Sequence, residues 1–87
     1  MHPKYAVIRN EFTIMKTAVD LYAIEMVKKM RKERDYSQEA LSYALGFDGS
    51  FISQFENGKA TYNIEHLNNI AKVLKCSPRI FLPEEAI

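Results

Sequence analysis

Residues 37–58, SQEALSYALGFDGSFISQFENG, constrain the fold more than any other stretch: two short helical patterns, joined by a tight glycine turn, carry interleaved stripes of opposite chemistry. Ser37 can cap the first, with Leu41, Ala44 and Leu45 facing inward. Gly46 follows where a helix commonly ends in the left-handed conformation that glycine adopts cheaply. Asp48 can cap the second, and Asn57 with Gly58 stops it. In that second helix Phe51, Ile52 and Phe55 stand at i, i+1 and i+4 and are expected to lie inward.

The opposite face of the same helix carries Ser50, Ser53, Gln54 and Asn57, which are polar but uncharged. An ordinary solvated helix face in a chain this rich in charge carries Lys and Glu. Hydroxyls and carboxamides can instead donate to and accept from the edges of nucleic-acid bases.

Elsewhere the chain reads as helix framed by caps. Thr17, with Asp20 three residues on, opens a helix whose apolar stripe is Tyr22, Ala23, Met26, Val27 and Met30. Leu21 and Ile24 fall off that stripe and predict apolar surface for the N-terminal arm or a second subunit to cover. After a polar connection, Asn63 opens a helix in which Ile64, Leu67, Ile70, Ala71 and Leu74 trace a 3.6-residue core stripe. Ser77 and Pro78 cap a last short turn through Ile80, Phe81 and Leu82, closed by Pro83. Before all of this, residues 1–16 contain Pro3 and YAVIRNEFTIM, a β-branched and aromatic composition that predicts an extended arm or small hairpin. An isolated hairpin is marginal in water, so the arm must pack on the domain or pair with another chain.

The 87 residues, 47% apolar and 26% charged, can build one core. Burial at this size is marginal, and the lone Cys76 excludes an internal disulfide, which makes dimerisation a reasonable source of further buried surface and a reducing cytoplasm the expected location. No uncharged stretch approaches the roughly 20 residues a bilayer crossing needs, so neither a membrane span nor a signal peptide is expected. A net charge of +1 does not itself point to nucleic acid, but its distribution is uneven. Lys28, Lys29, Arg31, Lys32 and Arg34 cluster against one acid, Glu33, a run that suits either a helix C-terminal dipole or a phosphate backbone. His2, His66 and Cys76 offer no metal-ligand spacing and no nucleophile arrangement, and the three glycines form no phosphate loop, so neither a cofactor nor catalysis is expected.

SQEALSYALG, SFISQFENGK and IEHLNNIAKVLKCSPRIFL together resemble the helix-turn-helix domain of the Cro and phage-repressor class of bacterial transcriptional regulators, over residues 21–82. The resemblance implies an all-α, compact five-helix, lambda-repressor-like domain over residues 17–87, with the arm, 1–16, outside the minimal family domain. It makes the third helix the recognition helix in the major groove of double-stranded DNA, with Ser50, Ser53 and Gln54 as base readers. Gln38 is then expected to hold a phosphate or buttress a reading residue, while Asn57, Lys59 and Thr61 meet the DNA backbone. The class also pairs a helix-one arginine with the glutamate ending the recognition helix, here Arg31 and Glu56, a bond worth only about 0 to 1 kcal/mol if exposed. Three departures stand out: Ser42 where alanine is usual, Asp48 with Gly49 where polar or basic groups are commoner, and the arm itself. The implied function is a sequence-specific regulator, a repressor acting as a homodimer on a two-fold operator. The alternative is an antitoxin-like or other protein-interaction module on the same fold, with a partner engaged through the arm.

Overall fold

Thr17 opens the first helix by a reciprocal cap: its Oγ1 accepts from the Asp20 N–H, and the Asp20 carboxylate accepts from the Thr17 N–H. The computed structural model describes residues 16–87, so the expected N-terminal hairpin, residues 1–15 of the arm, lies outside them. Four α-helices follow in order, α1 Ala18–Glu33, α2 Gln38–Ala44, α3 Phe51–Glu56 and α4 Ile64–Leu74. The expected fifth helix is a single 3-10 turn, Pro78–Phe81, and no strand occurs among the described residues.

Side-chain caps set the helix starts. Ser37 Oγ accepts from the Ala40 N–H, Asn63 Oδ1 from the His66 N–H, and Ser77 Oγ from the Arg79 N–H beside Pro78. At Asn63 the cap is again reciprocal, with His66 Nδ1 accepting from the Asn63 N–H in the place a carboxylate commonly fills. Gly46 and Gly58, both at φ 90°, let the chain leave α2 and α3 in the left-handed region. Arg34 Nε closes the far end of α4 by donating to the Leu74 carbonyl at 2.8 Å.

α1 packs against α3, α4 and the 3-10 turn, and α2 packs mainly against α3. Val27, Leu41, Ile52, Ile70, Leu74 and Phe81 are fully buried at their meeting point. Beside them Phe55 stacks on Tyr62 at 4.2 Å, and His66 presents its ring edge-on to Phe51, Phe55 and Tyr62. Half-buried Cys76 sits at the margin, its thiol pushed up by burial against the opposing pull of Arg34.

Three expectations fail on burial. Ile24 is not surface but core, because α1 is covered along more than one side and its apolar stripe is correspondingly wide. Ile64, expected inside, is 85% exposed: it is the first residue of α4 and projects beyond the elements that cover the rest of that helix. Ala44 ends α2 on its exposed side, leaving Leu41 and half-buried Leu45 to face inward.

Among the described residues the buried Tyr62 hydroxyl has no hydrogen-bond partner, and burial, with Glu56 nearby, pushes its ionisation far above the ordinary phenol range. Phenylalanine keeps the ring stacked on Phe55 and removes a desolvated polar group. Tyr62→Phe is therefore expected to stabilise the protein by about 0.5–1.5 kcal/mol, read as a raised midpoint in urea unfolding with unchanged slope.

Candidate nucleic-acid interface

α3 has only six residues, too few to persist without tertiary support. Ile52 and Phe55 hold its inner face in the core, with Phe51 half-buried beside them. A second anchor lies at its C-terminal end, where Arg31 Nε and Nη2 donate to the two Glu56 carboxylate oxygens at 2.8 and 2.9 Å. Both side chains are withdrawn from solvent, at 8% and 3% exposure. Arg31 Nη1 also donates to the Tyr36 carbonyl, and Gln38 Nε2 donates to Glu56 Oε1, so α1, α2 and α3 meet in one network.

The third anchor is Ser42, fully buried between α2 and α3. Its Oγ donates to the Gln38 carbonyl at 2.8 Å and accepts from the Ile52 N–H at 2.9 Å. The second bond satisfies one of the orphan donors at the start of α3, whose own Ser50 supplies no side-chain cap. The departure at Ser42 is thus a cap lent to α3 from α2. Asp48 does not cap α3 directly; one turn earlier, its Oδ1 accepts from the Ser50 N–H and from Ser50 Oγ. Those two bonds hold the Asp48 carboxyl below the usual carboxylate range.

With α3 fixed in this way, Ser50 and Gln54 are exposed and Ser53 is half-exposed on its outer face. Ser50, Ser53 and Gln38 line one open trough with Ser37, Glu39, Tyr43, Asp48 and Gly49. Gln54, Asn57, Lys59 and Thr61 lie outside that trough; the first three are exposed and Thr61 is half-buried. Gln38 has one amide hydrogen engaged by Glu56 and a second that no described residue accepts.

Two features escaped the sequence. Tyr43, 62% exposed, reaches over the start of α3, where a side chain at Gly49 would meet its hydroxyl at 2.9 Å and the Glu39 stem at 3.0 Å. Nothing in the spacing of α2 announces that overlap. Lys16 Nζ donates to the Gly58 carbonyl at 2.6 Å, tying the root of the arm to the exit of α3. Elsewhere the basic run divides: Arg31 enters the buried network, Arg34 caps α4, and Lys29 and Lys32 stay exposed. Among the described residues no group of His, Cys, Asp or Glu is placed to hold a metal ion, and no helix is long and apolar enough to cross a membrane.

The geometry matches known proteins. The chain is similar to the phage P22 c2 repressor, solved with a synthetic operator, at 32% identity and TM-score 0.60, covering 72% of this chain and 96% of that one. It is similar to the restriction-modification controller protein C.Esp1396I at 29% identity and TM-score 0.67, covering 76% and 86%. The controller C.AhdI of Aeromonas hydrophila shares the fold at 22% identity and TM-score 0.63, covering 74% and 91%. No curated relative matches the sequence. The family model described as Helix-turn-helix matches residues 27–81, the whole span from the middle of α1 to the 3-10 turn, and the chain belongs to that helix-turn-helix family.

Proposed function

We propose that the protein is a sequence-specific DNA-binding transcriptional regulator, a repressor that acts as a homodimer and lays α3 in the major groove of a two-fold operator. The observation that carries this reading is the division of α3: Ile52, Phe55 and Glu56 face the protein, while Ser50, Ser53 and Gln54 face outward beside an open trough. The similarity to a repressor solved with its operator supports it. Ser50, Ser53 and Gln54 then read bases, while Asn57, Lys59 and Thr61 meet the backbone, with Gln38 and the start of α2 beside a phosphate. Such a protein works in the cytoplasm, without cofactor or catalysis.

Two half-sites multiply the few base contacts that one short helix offers. Val19, Ile64 and Leu82 expose apolar surface along one trough formed by α1, α4 and the C-terminal segment, and this favours contact with a second subunit. The same patch also favours the second reading, an antitoxin-like module that binds a protein partner there and through the arm, residues 1–16. The arm and the domain from residue 17 on are, in this reading, separate working parts.

Selection of bound sites from a random duplex pool, followed by anisotropy titration at two salt concentrations, tests the proposal. Inverted half-sites about one helical turn apart and strong salt dependence are expected. Gln54→Ala is expected to relax preference at one base position by about 1–3 kcal/mol, while Lys59→Ala weakens every sequence alike. Uniform loss for Gln54→Ala would remove it from the readers, and absence of salt-sensitive binding would remove DNA as the partner.

A further inference from the structure

The hydrogens that the α3 hydroxyls have already committed limit which bases they can meet, given the reading that α3 faces base edges. Ser50 Oγ lies 2.7 Å from Asp48 Oδ1, and Ser53 Oγ lies 2.9 Å from the Ser50 carbonyl oxygen. A carboxylate or carbonyl oxygen has no hydrogen to give, so each serine must be the donor. A hydroxyl has one hydrogen, and in both residues it is taken by an oxygen of the chain itself at the exposed start of α3. What Ser50 and Ser53 turn outward is lone pairs alone.

Their surroundings have the same polarity. Asp48, beside Ser50, has a second carboxylate oxygen, and Glu39 places another carboxylate on the facing wall of the trough. Among the described residues, no lysine or arginine lines that trough. Ser37, Gln38 and Tyr43 keep donors there; Ser37 and Gln38 stand at the start of α2, and the Tyr43 hydroxyl reaches over Gly49 without belonging to α3. By contrast, the Gln54 carboxamide, further along α3 and exposed, carries both a donor and an acceptor.

We infer that the first half of α3 selects bases that present an exocyclic amino group in the major groove, adenine through N6 or cytosine through N4, on the strand facing Ser50 and Ser53. Guanine O6 and thymine O4 set an acceptor against acceptors at that point and are disfavoured by about tenfold or more. Gln54, able to make a bidentate pair, is free of this restriction.

Site selection from a random duplex pool with the full chain and with Asp48→Asn, Ser50→Ala and Ser53→Ala tests the inference. The wild-type protein is expected to enrich adenine or cytosine at one position, or two adjacent positions, per half-site. Asp48→Asn, which adds an amide donor beside Ser50, is expected to admit guanine or thymine there, and the two alanine variants to flatten the preference. Replacing the selected adenine by purine, or cytosine by 2-pyrimidinone, removes only the amino group and is expected to weaken wild-type binding about tenfold. Wild-type binding unchanged when the amino group is removed from either strand at the positions these variants alter, or a preference unchanged in all three variants, overturns the inference while the DNA-binding reading stands. Failure of the wild-type protein to enrich any sequence overturns both.

Discussion

Glu56→Ala is expected to cost about 3–5 kcal/mol of folding stability, because it strands the Arg31 guanidinium in a site withdrawn from water. A domain of this size has only about 5–15 kcal/mol in total, so the variant should show a urea midpoint lowered by a large fraction of the wild-type value. The expectation rests on burial and not on the attraction itself. Exposed pairs contribute at most about 1 kcal/mol, whereas a buried pair is dangerous to break and need not be stabilising to possess. Replacing Arg31 by Met and Glu56 by Leu together should therefore recover most of the loss. A single variant within about 1 kcal/mol of wild type would mean that water reaches the pair freely.

Ser42→Ala is expected to cost about 1–3 kcal/mol, a large effect for the removal of one oxygen. The hydroxyl is the partner of the Ile52 N–H, and without it a donor at the start of α3 is left buried and unpaired. The Gln38 carbonyl keeps its place in α2 and loses less. Hydrogen exchange separates this account from a general packing loss: the Ile52 amide should lose protection by a larger factor than amides of α4. Equal loosening of α3 and α4 would contradict the cap.

Local chemistry made much of this fold readable. Thr17, Ser37, Asn63 and Ser77 all cap where the spacing places them, because a cap depends on residues within three positions of itself. Ile52 and Phe55 likewise turn inward as their spacing requires. Burial around a helix is another matter, since it depends on how many neighbours the helix has. Ile24 is core because α1 is surrounded, and Ile64 is exposed because α4 begins outside its neighbours. No periodicity contains that information. The resemblance supplied Arg31 and Glu56 as a pair, yet their depth, the bond from Gln38 and the bridge through Ser42 join elements distant in sequence. Tyr43 over Gly49 belongs to the same class of contact, visible only once α2 and α3 are packed.

The way α3 is fastened has an evolutionary consequence. Its hold on the rest of the molecule runs through Ile52, Phe55, Glu56 and one backbone N–H, none of which faces outward. The side chains turned away from the core can be exchanged with little penalty to folding, so, on the proposed function, descendants of such a gene are free to drift toward new target sequences while inheriting the same scaffold.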